Sequence, residues 1–204
     1  TETEGKISLF DVPLHYNLYN ASKDFNYDLS KIFEHTLIKE NPAKAVTFVD
    51  NHDTQPGQSL ASFVEAWFKQ AAYSLILLRS DGYPCVFYGD YFGIEHDKIP
   101  HVKYIKTMIE LRKEKAYGTQ HDYFDNPNYI GWTLEGDDEH LSSGLAVIIT
   151  NKGKGQKKMY VGINHAGEKY IDALSNCQDE IMIDSEGYGE FKVNEKSTSI
   201  WVSM

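Results

Sequence analysis

The stretch Phe48-Val49-Asp50-Asn51-His52-Asp53-Thr54-Gln55-Pro56-Gly57-Gln58-Ser59-Leu60 decides how the chain is read. Ala45, Val46, Phe48 and Val49 surround Thr47 as a nearly continuous apolar run. That is the pattern of a strand covered on both faces, as in a parallel sheet flanked by helices. At Asp50 the character changes, and the turn residues Pro56 and Gly57 follow. Carboxylates, an amide and an imidazole at the carboxyl end of a buried strand sit where α/β barrels place their chemistry. Asp, Asn and Thr also serve as ordinary turn and cap residues, and Asp50 and Thr54 are assigned mainly that role. His52 beside Asp53 exceeds what a cap needs, so this pair is the candidate site.

Upstream, Ile7 to Leu14 read as a strand ending near Pro13, and Asn20 to Tyr27 as a polar loop. Asp28 is placed at the start of a helix with Leu29, Ile32, Phe33 and Leu37 on its apolar face. Downstream, apolar residues recur at helical spacing from about Ser59 to Arg79, and Cys85 to Tyr88 form the next strand. Gly89, Asp90 and Gly93 break that strand into a loop, and a helix spans about Val102 to Lys115. Strands and helices alternating at this spacing imply βα units with parallel strands. After Gly118 the texture changes to seven short alternating segments separated by Gly, Asn, Asp and Ser. Such segments build an antiparallel sandwich or barrel.

The 204 residues hold 41% hydrophobic and 13% aromatic residues, enough for a substantial core in one large or two small domains. The net charge of −10 argues against nucleic acid or an anionic membrane surface as partner, and suits a neutral polymer. Cys85 and Cys177 are read as unpaired, and no zinc-ligand spacing occurs. The longest apolar stretch, Ala71 to Leu78, is far too short to span a bilayer. The first residue is Thr1 rather than Met, so a missing targeting signal carries no information.

FVDNHDTQPGQSL (residues 48–60) resembles the fourth conserved region of the alpha-amylase family of glycoside hydrolases, at the end of the seventh barrel strand. FDVPLHY (10–16) is similar to the sixth strand and GYPCVFYGDYFG (82–93) to the eighth. WFKQAAYSLILLRSDG (67–82) and AYGTQHDYFDNPNYIGWTLEGD (116–137) extend the match, which is closest to bacterial liquefying enzymes and their intracellular relatives. The resemblance implies that residues 1–117 are the last three βα units of a TIM (β/α)8 barrel, and residues 118–204 an antiparallel Greek-key β-sandwich. Three units cannot close a barrel, so the chain is expected to be a fragment whose partner is the missing N-terminal part of the barrel. Its other expected partner is an α-glucan polysaccharide or oligosaccharide. The expected compartment is the cytoplasm, with secretion as the alternative.

Alpha-amylases are retaining glycosidases that use a nucleophilic carboxylate and an acid/base carboxyl. A third acid grips sugar hydroxyls as the ring becomes cationic. The resemblance puts that transition-state stabiliser at Asp53, with His52 donating to a hydroxyl of the same sugar; Gln58 either reaches the sugar from the following loop or stands at a helix N-terminus. The nucleophile and acid/base belong to motifs that precede Thr1, so the chain alone is expected to be inactive. Asp11, Asp50 and Asp90 gain no support from spacing as replacements: Asp11 begins a strand and Asp90 fits a loop cap. Tyr88 and Tyr91 could line the cleft, with core packing the simpler assignment for Tyr88. The remaining histidines, His15 among them, are assigned structural or exposed roles.

Calcium is the family's cofactor, and its main site lies upstream. A second family site, between barrel and C-terminal domain, would use the carbonyls of Phe25, Tyr27 and Pro127 and the side chains of Asn128 and Asn151. Both family acids are Asn here, so this site is expected to be empty or weak. Readings kept beside endo-hydrolysis of internal α-1,4 bonds are a transglycosylase, a maltodextrin-trimming enzyme, and a non-catalytic glucan-binding protein.

Overall fold

Residues 7–204 are described by a computed structural model. Strand β1 is short, Leu9–Phe10, and helix α1 (Val12–Lys23) follows at once. The expected strand through Leu14 and the expected loop from Asn20 are both corrected by this helix. Its start is written as Asp11-Val12-Pro13: an acid at the N-cap, then a proline in the first turn, where its missing N–H is harmless. Leu14, Leu18 and Ala21 then fall on one buried face. Asp11 therefore caps a helix rather than beginning a strand. Its carboxylate accepts from the backbone N–H of Leu14, Leu37 and Ile38.

Asp28 caps only a 3-10 turn, Leu29–Lys31, and the helix expected there resumes briefly as α2, Leu37–Glu40. Strand β2 (Ala45–Phe48) is the central strand of a parallel sheet in the order β1-β2-β3, where β3 is Tyr83–Cys85. Leu9 pairs with Ala45, and Val46 with Tyr83. Helix α3 covers Lys69–Leu77 only. The expected start at Ser59 is wrong: the Val64 N–H bonds the Asp50 carboxylate and the Glu65 N–H the Ser22 hydroxyl, in place of helical carbonyls. Nearly every side chain of α3 is buried, Lys69 and Ser74 among them. Tyr88, Gly89 and Asp90, read as strand end and loop, lie in a one-turn helix α4, Tyr88–Phe92. Helix α5 (Ile105–Glu114) buries Ile105, Met108 and Leu111.

The second half is antiparallel. Strands β4 (Gln120–Tyr123), β5 (Tyr129–Leu134), β6 (Leu145–Thr150), β8 (Lys169–Asp172), β9 (Glu180–Met182) and β11 (Thr198–Ser203) form one sheet in the order β4-β5-β6-β11-β8-β9. Strands β7 (Gly155–Tyr160) and β10 (Tyr188–Val193) pair separately. The core between these sheets holds Ile148, Met159, Tyr170, Phe191 and Trp201. The opposite face of the larger sheet joins the α/β half: Trp132, Val147 and Ile200 share one apolar cluster with Leu75, Ile76 and Met108. The indole N–H of Trp132 donates to the Leu78 carbonyl at 2.8 Å. Beside it Arg79, on the chain leaving α3, forks onto Asp122 of β4. Both cysteines are free, Cys85 exposed and Cys177 buried.

Candidate functional site

Strand β2 ends at Phe48, and Val49 and Asp50 remain buried. The chain then folds on itself through side-chain bonds. The Asn51 Oδ1 accepts from the backbone N–H of Asp53 (2.9 Å) and Thr54 (3.0 Å). The Thr54 hydroxyl oxygen accepts from the Asn51 N–H at 3.0 Å, and the hydroxyl lies 3.1 Å from Asp50 Oδ1 as a donor. This Asx-type turn leaves the intervening pair outside. The side chains of His52 and Asp53 are 83% and 57% exposed, with Nε2 and Oδ1 3.6 Å apart. Asp53 thus stands at the carboxyl end of the central parallel strand, open to a ligand. Gln58 is also exposed; its backbone N–H closes a turn onto Gln55 O at 3.3 Å, so it does not begin a helix.

Beneath the turn lies a charged network that the sequence reading missed. Asp50, Lys69 and Asp90 are all buried. Lys69 Nζ is 2.9 Å from Asp50 Oδ2 and also pairs with Asp90 Oδ1. Tyr73 donates its hydroxyl to Asp90 Oδ2 at 2.6 Å. Asp90 is therefore not a loop cap. Burial pushes the Asp50 carboxyl up to about 7; the Lys69 ammonium pulls it down and the Asp90 charge adds to the rise. Burial, reinforced by Asp90, likewise raises the Tyr73 phenol. The signal for this network was a lysine inside an otherwise apolar helix pattern.

His15, on α1, also packs against the end of β2. Its Nδ1 is 2.6 Å from the Val49 carbonyl, its Nε2 is 2.8 Å from Ser62 Oγ, and its ring stacks on Phe48 at 5.1 Å. Burial holds its pKa below the ordinary value. It is structural, tying α1 to the start and end of the 49–62 loop. Tyr88 is 72% exposed, contrary to core packing, with its ring against Phe92 at 4.6 Å; Tyr91 is half-buried.

At the junction of the two halves, the positions the family would use for calcium are engaged with each other. Asn151 Nδ2 donates to Tyr27 O at 2.7 Å, and Leu29 N–H to Pro127 O at 2.8 Å. The Asn128 carbonyl accepts from the Thr150 hydroxyl and the Asn151 N–H. Phe25 is exposed, with Lys196 Nζ 4.0 Å above its ring. An N–H aimed at Tyr27 O, and a lysine nearby, do not fit a divalent cation, which needs oxygens converging on it. Among the described residues there is no group of three or more His, Cys, Asp or Glu placed to hold a metal, and no helix long and apolar enough to cross a membrane.

The alpha-amylase C-terminal family matches residues 145–202. An alpha-amylase of Geobacillus stearothermophilus is 52% identical over 203 residues, covering 98% of this chain and 37% of that protein. A cytoplasmic alpha-amylase of Escherichia coli is 38% identical over 213 residues, covering 98% of this chain and 43% of that protein. This chain therefore spans about two fifths of the length of these relatives. Among solved structures, alpha-amylase I from Eisenia fetida superposes with a TM-score of 0.69 at 15% identity, over 97% of this chain and 49% of that one. That likeness speaks to the fold.

Proposed function

We propose that this chain is the C-terminal part of an enzyme hydrolysing internal α-1,4-glucosidic bonds with retention; the match of residues 145–202 to the alpha-amylase C-terminal family and the similarity of 98% of the chain to a bacterial alpha-amylase support this reading. The substrate is starch, glycogen or a maltodextrin. The observation carrying this reading is Asp53, exposed beside His52 on a turn braced from within at the end of β2. A carboxylate so held accepts hydrogen bonds from sugar hydroxyls that strengthen as positive charge develops on the ring. His52 donates to a hydroxyl of the same sugar, and Gln58 contacts it from the following turn. The compartment proposed is the cytoplasm, on the strength of the Escherichia coli relative.

The nucleophile and the acid/base are supplied by an upstream part that completes the barrel, and the chain alone is inactive. Among the described residues the outer edges of β1 and β3 have no strand partner, and apolar side chains stand exposed along both: Leu9 and Phe10 on one, Tyr83 on the other. These edges are the seat of the missing strands. In this reading the junction between the halves binds calcium weakly or not at all, and hydrogen bonds such as Asn151 Nδ2 to Tyr27 O join the halves there.

The test is reconstitution with the N-terminal portion of the Geobacillus stearothermophilus relative. The mixture should hydrolyse starch, neither part should do so alone, and Asp53→Asn should lower kcat roughly 10³-fold, equivalent to a few kcal/mol of transition-state binding. Hydrolysis unaffected by Asp53→Asn would overturn the assignment. Glucan binding without hydrolysis would favour the non-catalytic reading.

A further inference from the structure

Asp50 lies two residues past the end of β2, and its carboxylate holds both ends of the loop that carries the site. It accepts from the Thr54 hydroxyl at 3.1 Å on the outgoing side, and from the Val64 N–H at 3.2 and 3.3 Å on the returning side. Between these anchors lie His52, Asp53 and Gln58, all exposed. A carboxylate in that position is useful only if it is itself immobile. Lys69, with a side chain 3% exposed, supplies the constraint: Nζ bridges Asp50 and Asp90 and lies 3.4 Å from the centre of the Phe63 ring. Asp90 is fixed in turn by the Tyr73 hydroxyl.

We propose that Lys69 is a positioning residue: by clamping Asp50 against Asp90 it locks the 50–54 turn, and so the direction of His52 and Asp53, to the helices that follow β2 and β3. This rests on the reading of Asp53 as the sugar-gripping acid, and it extends the working site to a lysine that never meets substrate. Three charged groups buried together are a poor way to gain stability alone, since apolar residues of similar size commonly do as well. Geometry held against thermal motion is what such a cluster provides, and functional side chains need that from the residues behind them. Hydrogen exchange reports the difference between local loosening and global unfolding.

The experiment is residue-resolved amide hydrogen exchange on the 204-residue chain without any sugar. Lys69→Met is compared with the natural protein, with Lys69→Arg, and with Leu75→Ala as a destabilised control outside the network. Lys69→Met should speed exchange at Asp53, Thr54 and Val64 at least tenfold while amides of β6 and β11 keep their protection. Lys69→Arg should restore most of the protection, and Leu75→Ala should not single out the turn. Where Lys69→Met does not fold, Asp90→Asn takes its place with the same expectation. Turn amides that stay protected, or that loosen no more than in Leu75→Ala, overturn the proposal. Because no glucan is present, the outcome is independent of Asp53: the clamp can fail while Asp53→Asn still slows hydrolysis, and the converse is equally readable.

Discussion

The side-chain amide of Asn151 donates to the carbonyl of Tyr27 at 2.7 Å, joining two residues 124 positions apart across the junction of the α/β half and the sandwich. Asn151 is fully buried and its Oδ1 has no hydrogen-bond partner. Turning the amide over would set two oxygens against each other, so the N–H is the group that holds the junction. Adding calcium should leave the melting temperature unchanged, as should a chelator. Asn151→Asp should destabilise by about 1–3 kcal/mol without metal, since a buried carboxylate would then face a carbonyl. Making both Asn128→Asp and Asn151→Asp should restore two acids and render melting calcium-dependent. Calcium-dependent melting of the natural chain would refute this.

A second link across the same junction is charged. Arg79 contacts Asp122 Oδ1 at 2.5 Å and Oδ2 at 2.8 Å, with its guanidinium 4.8 Å from the Phe33 ring centre and 5.4 Å from that of Phe124. Its side chain is 4% exposed, so removing the partner strands a buried cation with only Asp81 beside it. Asp122→Ala should cost about 3 kcal/mol in urea denaturation, the low end for breaking a buried pair because Asp122 itself is partly exposed. Since the two halves share an apolar cluster, unfolding should stay a single transition. A loss below about 1 kcal/mol would mean that Arg79 is held by ring stacking instead.

The pH dependence of stability follows from Asp50. Its folded pKa of about 7 lies above the ordinary value of 3.8, so the folded state holds this proton more tightly. The group therefore contributes stability below about pH 4 and loses it progressively as the pH rises to about 7. The charged and titratable groups facing it are Lys69 and Asp90, with Tyr73 behind Asp90. His15, whose pKa burial and, to a lesser degree, the Lys69 charge lower, runs the other way: its contribution is present above 6.5 and lost as the pH falls. The stability difference between the natural chain and Asp50→Asn should therefore decline between about pH 4 and 7 and stay level above. Urea denaturation across that range measures it, and a difference independent of pH would contradict the assignment.

Much of this fold was legible in the residues, and the failures have physical causes. The run Ala45 to Val49 announced β2 because a strand covered on both faces must be apolar throughout. Among the segments from Tyr129 onward, β7 to β10 alternate because one face is solvated, whereas β5, β6 and β11 are buried on both faces. Strand β4, Gln-His-Asp-Tyr, was missed: it has little apolar pattern, being an edge strand whose Asp122 serves Arg79. Pro13 was taken as a strand end, although after Asp11 it marks a helix start equally well. Phe63 and Trp67 fit helical spacing, yet Asp50 captures the Val64 N–H and Ser22 Oγ that of Glu65, so tertiary bonds override propensity there. His52 and Asp53 stood out as a candidate pair because no cap requires them, whereas Lys69, whose place among apolar neighbours was the available signal, was passed over.

The exposed edges give the last prediction. Leu9 and Phe10 on β1 are 59% and 57% exposed, and Tyr83 on β3 is 75% exposed. Unpaired strand edges with apolar side chains template pairing with other chains. Alone at high concentration, the 204-residue chain should self-associate, as sedimentation would show. Leu9→Lys places a charge on that edge while touching no buried group, so it should suppress association and shift the melting temperature little. The same substitution should weaken reconstitution with an N-terminal barrel portion, because both processes compete for one edge. Association that survives Leu9→Lys while reconstitution is lost would separate the two surfaces and move the self-association site to β3.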